Sequence, residues 1–303
     1  MKKKRSRVFL LFLLVAMLGV VFFLTLYLAI LNRPDPVTPP GQKKGLRSGR
    51  PLKRELPRSE PVKPQDMRPK VAIIIDDLGY DLDVDTAFMR TELPLTLSIL
   101  PLAPFTESIA REAKMRGLEV LLHQPMEPDD YPRVEPGPGA LLLSMSPAQI
   151  IRVLNENLKQ IPGVKGINNH MGSGFTKDRD QMEVVAKALQ QKGLFFIDSR
   201  TTKETVALEE MEEFQVPRRS RDVFLDNQLA PHAIDRQIGR LLSVAGKTGS
   251  AIGIGHSYRT TLEILMKNRE RLKKEVHMVP VSALVSHSSN IRNSKRLSNG
   301  ERR

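Results

Sequence analysis

Val71-Ala-Ile-Ile-Ile-Asp-Asp77 is the stretch on which the reading of the fold turns. Five consecutive apolar residues, four of them β-branched, read as a strand buried on both faces, and the strand stops at two carboxylates. The same pattern recurs along the chain. Leu118-Glu-Val-Leu-Leu122 runs into His123, and Val164-Lys-Gly-Ile167 into Asn168-Asn169-His170. Leu194-Phe-Phe-Ile197 runs into Asp198, Val223-Phe-Leu225 into Asp226, and Ala251-Ile-Gly-Ile-Gly255 into His256. Polar groups at the carboxyl ends of parallel strands converge on the face where α/β folds carry out chemistry. Six such endings, all of residue types that bind metals or move protons, point to a site.

Between these strands lie helix-like stretches: 105–116, 146–160, 178–192, 230–246 and 258–274. Ser146 followed by Pro147 reads as a helix start, and Gly193 as a helix stop. Residues 95–100 and 276–281 read as further strands. Strands alternating with helices imply βαβ units and a parallel sheet. Seven or eight strands in this span suit an α/β fold of the closed or nearly closed (β/α) barrel kind.

The net charge of +13 does not belong to the folded part. Residues 1–70 hold 16 Lys/Arg against 4 Asp/Glu, whereas 71–290 hold 26 against 29. A nucleic-acid-binding domain carries its basic charge on the fold, so nucleic acid is not an expected partner. The chain has no cysteine, which excludes disulfides and thiolate metal sites. Any metal must be held by His, Asp or Glu.

Residues 1–7 form a basic tail, and Val8–Leu31 runs 24 residues without a charge. A helix of that length spans about 36 Å, enough to cross a bilayer core. The run is longer than a signal-peptide core and lacks a clean small-x-small cleavage site, which favours an uncleaved transmembrane anchor. Five basic residues abut the start of the run, and five more are spread over the 20 residues after it. The dense cluster dominates, which places the N-terminus in the cytoplasm and the bulk of the chain outside the cytoplasmic membrane, in the periplasm. Residues 32–70 are a Pro-rich basic linker, 71–285 the folded domain, and 286–303 a disordered basic tail.

A one-metal hydrolase needs a carboxylate on the metal and another to take a proton from water. Asp76 and Asp77, adjacent at a strand end, can fill both roles. His123 and Glu127, four apart on the loop expected after a strand, can reach one metal if that segment turns. His170 lies among amides and glycine. Gly253-Ile-Gly255 opens space beside His256, which suits a general acid or an orienting imidazole. That stretch lacks the lysine and spacing of a phosphate-binding P-loop, and no Gly-x-Ser-x-Gly elbow supports a serine nucleophile. His232, His277 and His287 read as incidental.

The set VAIIIDDLGYD (71–81), LSILPLAPF with GLEVLLHQPMEP (within 97–128), GINNHMGSGFT (166–176), FFIDSRTT (195–202), RDVFLDN (221–227) and IGIGHSY (252–258) resembles the divergent polysaccharide deacetylases. These are relatives of metal-dependent carbohydrate esterases acting on N-acetylated sugars. The resemblance covers about 71–285 and implies a (β/α) barrel of the glycoside hydrolase/deacetylase type. It implies Asp76 as catalytic base, Asp77 and His123 as metal ligands, and His256 as general acid. Glu127 stands where the second histidine of the family's His-x-x-x-His motif would be, and His170 is expected to replace that ligand. No counterpart of the family's Arg-Pro-Tyr element is evident.

The expected site is therefore Asp76, His256 and Asp198 for catalysis, and Asp77, His123, His170 and Glu127 for the metal. Asn169, Ser173 and Asp226 are expected to bind substrate. The expected function is a membrane-anchored hydrolase using a divalent metal, zinc by its donor set, to remove acetyl groups from an envelope polysaccharide. The competing expectation is a non-catalytic glycan- or partner-binding protein on the same fold. A glycosidase or other hydrolase stays open as well, since paired carboxylates suit that chemistry. With 5% aromatic residues and no tryptophan, long sugar-stacking platforms are not expected.

Overall fold

The computed structural model describes residues 66–285. The apolar segment Val8–Leu31, the linker up to residue 65 and the tail from 286 lie outside the described residues. Among those described, no helix is long and apolar enough to cross a membrane.

Nine strands and eight α-helices alternate along these residues. They are β1 (Lys70–Leu78), α1 (Leu82–Met89), β2 (Thr96–Ile99), α2 (Thr106–Met115), β3 (Glu119–Met126) and α3 (Pro147–Lys159). After them come β4 (Gly166–Met171), α4 (Arg179–Lys192), β5 (Phe195–Asp198), α5 (Ala207–Glu213), β6 (Arg218–Ser220) and β7 (Val223–Phe224). The last are α6 (Pro231–Thr248), β8 (Ser250–His256), α7 (Arg259–Lys267), α8 (Arg269–Glu275) and β9 (His277–Met278).

All pairings are parallel, in the order β6-β5-β4-β3-β2-β1-β8-β7, with β9 added beside β1. The result is a curled, barrel-like parallel sheet. No ladder joins β6 to β7. These short strands are successive pieces of one segment, the first pairing with β5 and the second with β8. The sheet is therefore open, eight strands along one path with β9 beside β1, which fits the nearly closed form of the barrel the sequence suggested and not the closed one.

Alternation along each strand divides the core in two. Val71, Ile73 and Ile75 of β1 pack with helix residues such as Ile109, Leu154 and Leu241. Ala72 and Ile74 join Leu121, Ile197, Ile252 and Ile254 in a separate cluster, where Val279, Val281 and Leu284 of the C-terminal segment also pack. Side chains two apart along a strand share a face. The next inward positions after Ile74, Ile254 and Leu121 are Asp76, His256 and His123. The alternation that builds the inner core thus hands over to polar groups at its carboxyl end.

Several boundaries shift from the sequence reading. Lys70 already pairs with both β8 and β9, and the Pro69 carbonyl accepts from His277 N at 2.9 Å. Asp66 Oδ2 lies 3.1 Å from His277 Nδ1 and Arg68 donates to the Lys273 carbonyl, so residues the sequence assigned to the linker are built into the fold. The helix expected over 258–274 breaks at Asn268, whose side chain donates to Asp235 at 2.7 Å and to the Ile264 carbonyl at 3.0 Å. The strand expected over 276–281 shrinks to His277–Met278, followed by Pro280 and a short 3-10 turn.

Candidate metal centre

Asp76 and Asp77 both reach the site because β1 is irregular there. Its register with β2 shifts between Ile75 and Leu78, and Asp77 takes φ 64°. In a regular strand two neighbours face opposite sides; the bulge removes that constraint. Left-handed backbone in a non-glycine residue costs on the order of 1–3 kcal/mol and persists only where its surroundings hold it. Asp85, fully buried on α1, supplies part of that hold. Its carboxylate accepts from Gly79 N at 2.8 Å and from the Ser257 hydroxyl, while Ser257 N donates to the Asp76 carbonyl at 3.0 Å. Burial pushes the Asp85 carboxyl up, partly offset by those bonds.

Asp77, His123 and His170 converge from β1, β3 and β4. Asp77 Oδ1 lies 3.1 Å from His123 Nε2 and 2.9 Å from His170 Nδ1, and the two nitrogens are 3.1 Å apart. Yet Oδ1 is buried and has no hydrogen-bond partner. Three donor atoms about 3 Å apart fit bonds of about 2.0–2.2 Å to one ion. The chemistry of two imidazoles and a carboxylate also fits a divalent transition metal. Burial works against the Asp77 charge, but the imidazoles opposite overcome it and hold the carboxyl well below the usual range.

Asn168 organises this cluster, and the sequence reading passed over it. Its Oδ1 accepts from His123 Nδ1 at 3.0 Å and from the Ser98 hydroxyl. With the proton held on Nδ1, His123 Nε2 presents a lone pair to the cluster. The same amide donates to both Asp76 oxygens, at 2.9 and 3.1 Å, and to Ser199 Oγ at 3.2 Å. One buried side chain therefore links Asp76 to His123 of the cluster. Alternation held the signal, since Asn168 lies two residues before His170 and shares its face.

Asp76 is 2% exposed, with Oδ2 3.6 Å from His123 Nε2. Burial pushes its carboxyl above the usual range, partly offset by the His123 and His256 imidazoles. For His123, burial disfavours the charge, but Asp76 and Asp77 outweigh it and move the imidazole up. Across β1, His256 is the register partner of Asp76. Its Nδ1 donates to Asp226 Oδ1 at 2.9 Å, and Asp226 Oδ2 accepts from His256 N at 2.6 Å and Thr261 Oγ1 at 2.7 Å. Burial lowers the His256 pKa, but the bond to Asp226 and the charge of Asp76 prevail, and it is pushed up to about 9.

A cavity of about 520 Å³ adjoins the cluster, lined by Asp76, His123, His170 and His256 together with Asn169, Arg200, Arg221 and Phe224. On the other side of His170 and Asp77 lies a cleft of about 330 Å³ that includes Tyr80 and Tyr258, both exposed. Two aromatic side chains thus stand beside the centre without forming a long platform.

Four expected site residues are placed elsewhere or in other roles. Glu127 does not join the cluster. Its Oε2 accepts from Leu143 N at 2.8 Å, because β3 continues through Met126. Four residues of extended strand span about 13 Å, too far for His123 and Glu127 to share an ion. Asp198 is fully buried and does not line the cavity; its Oδ1 accepts from Arg200 N at 2.7 Å, shaping the loop after β5. Burial pushes the Asp198 carboxyl up, partly offset by that bond. Ser173 accepts from Asp129 N at 3.0 Å and joins two loops. Asp226 is spent on orienting His256. Asn169 does line the cavity, but its amide also bonds the Met171 carbonyl at 2.8 Å and Ser199 N at 2.9 Å. Gly255 closes space where the sequence reading expected it to open. A Cβ there would lie 3.2 Å from Asp226 Oδ2, so glycine lets Asp226 approach β8.

Residues 73–285 match the family model of the divergent polysaccharide deacetylases. The chain belongs to this family. An uncharacterized protein of Haemophilus influenzae is 36% identical over 215 residues, 71% of this chain and 76% of that protein. The uncharacterized protein YibQ of Escherichia coli is 32% identical over 217 residues, covering 72% and 67% of the two chains. Among solved structures, the uncharacterized protein ATU2773 from Agrobacterium tumefaciens superposes with a TM-score of 0.70 at 26% identity. That match covers 74% of this chain and 92% of that one.

Proposed function

We propose that this divergent deacetylase is a membrane-anchored, metal-dependent hydrolase that removes acetyl groups from an N-acetylated envelope polysaccharide. One observation carries the reading: a convergent Asp77/His123/His170 cluster with a buried carboxylate, Asp76, on one side and a carboxylate-oriented imidazole, His256, facing the same cavity. Asp77 Oδ1, His123 Nε2 and His170 Nδ1 would hold a divalent ion, zinc by the donor set, which when bound would supply Lewis acidity toward the acetyl carbonyl and lower the pKa of water. Asp76 accepts the proton of the attacking water, and its raised pKa suits it to hold that proton. Asn168 keeps the Asp76 carboxylate oriented and the His123 tautomer fixed. His256, protonated and held by Asp226, gives a proton to the leaving amine. Purified full-length protein is expected to contain one divalent ion per chain by elemental analysis and to release acetate from N-acetylated glycans. Metal-loaded protein that releases none across a broad panel would point instead to a binding protein on this fold.

Anchoring is supported by the uncharged run Val8–Leu31 and the basic cluster before it. The protein is expected to stay in the membrane fraction through alkaline carbonate washing, with residues 71–303 open to protease only from the periplasmic side. A soluble, N-terminally trimmed product would overturn the anchor, and digestion from the cytoplasmic side would overturn the orientation.

A further inference from the structure

The wall of the cavity formed by the loops after β5 and β6 carries two guanidinium groups, Arg200 and Arg221. Neither makes an ion pair among the described residues. Arg221 is half-buried, yet among the described residues its hydrogen bonds go only to main-chain carbonyls: Nε to Ser199 at 2.8 Å and Nη2 to Arg200 at 3.2 Å. Its guanidinium also sits 4.8 Å from the centre of the Phe224 ring, another cavity-lining residue. Those contacts fix the plane of the fork, and Nη1 has no hydrogen-bond partner among the described residues. Arg200 is exposed, and its backbone is held at φ 51° by the bond from its N–H to Asp198. Burying a guanidinium, as at Arg221, without a carboxylate partner is costly, so such a group persists where an anion completes it. The nearby acids do not fill that place. Asp198 Oδ1 accepts from Arg200 N, while its buried Oδ2 has no hydrogen-bond partner among the described residues and makes no ion pair with either guanidinium; Asp76 is held by Asn168. Burial holds the Arg221 pKa below its ordinary value, and the Asp198 and Asp76 charges only partly compensate.

We propose that Arg221 and Arg200 bind an anionic substituent of the glycan, a carboxylate or phosphate, beside the acetyl group addressed by the metal centre. This rests on the hydrolase reading above and extends it to the substrate class: an acidic N-acetylated sugar. The fixed fork of Arg221 suits planar, two-point recognition of an oxyanion, and Arg200 adds a second positive charge at the mouth.

Three ligands separate the possibilities: N-acetylglucosamine, N-acetylmuramic acid with its added carboxylate, and N-acetylglucosamine 6-phosphate. With zinc-loaded full-length protein, calorimetry is expected to show at least one acidic ligand binding about tenfold tighter than the neutral one. Which acidic ligand gains identifies the oxyanion. Arg200→Gln, which alters an exposed side chain, is expected to narrow the difference, and Arg200→Gln with Arg221→Gln to erase it while neutral binding is kept. Equal binding of all three ligands overturns the proposal. So does an Arg221→Gln loss that is the same for neutral and acidic ligands, which would make Arg221 a positioning residue for the loop or for Asp76. An acidic preference without acetate release would leave this inference standing and remove the hydrolase reading. Acetate release indifferent to ligand charge would do the reverse.

Discussion

Replacing His123 and His170 together by alanine is expected to strip the bound divalent ion and lower acetate release by well over 10²-fold. The two imidazoles supply two of the three convergent donors, and Asp77 alone cannot hold an ion against water. Elemental analysis of the purified variant checks the first effect and an acetate assay the second. Glu127→Ala is the control: its carboxylate serves Leu143 N, so metal content is expected to stay stoichiometric. Asn168→Ala is expected to fall between, weakening metal affinity by about 10–100-fold, because the ligand His123 loses the acceptor that fixes its proton. Full zinc retention in the double histidine variant would sink this arrangement.

The contrast between His170 and Glu127 shows how far the sequence could be read. Apolar runs ending in Asp or His located β1, β3, β4, β5 and β8 and their shared face, because burial on both sides leaves an unbroken hydrophobic signature. Which polar residue points inward depends on where the strand ends and whether it bulges. His123 and Glu127 looked like partners only while the segment was read as a turn; as strand, the spacing separates them. Asp76 and Asp77 should have faced opposite sides, and only a register shift held from below by Asp85 lets both serve. Nothing in the local sequence around Asp77 names Asp85 or Ser257, whose contacts depend on helix and loop packing. Asp226 had the right residue type and position for substrate, but the missing side chain of Gly255 brings it to His256 instead. The short helices α1 and α5, of 8 and 7 residues, escaped because two turns offer too little periodicity to count. Arg221, the one cavity-lining arginine with fixed geometry, is placed by chain continuity between β6 and β7, a feature of closure rather than of pattern.

Asp76→Asn is expected to keep the metal and lose the chemistry. Asparagine matches the volume of aspartate but cannot take a proton, so acetate release should fall at least 10²-fold, the scale of lost general-base catalysis. Metal content should not change, because Asp76 is not among the three convergent donors. The partner test is pH. His256, pushed up to about 9, is protonated at neutral pH and gives up its proton as pH rises through that value. If it donates to the leaving amine, acetate release falls on the alkaline side. A cation at Asp77 adds positive charge nearby, so in the loaded enzyme this fall is expected at or below about pH 9. Asp226→Asn removes the negative charge and the strong acceptor at Nδ1, so it should move the fall to lower pH without touching metal content. His256→Ala should abolish that limb and slow release most for substrates with a poorly leaving amine. A rate unchanged in Asp76→Asn, or an alkaline limb that survives His256→Ala unmoved, would show that these two groups do not carry the protons.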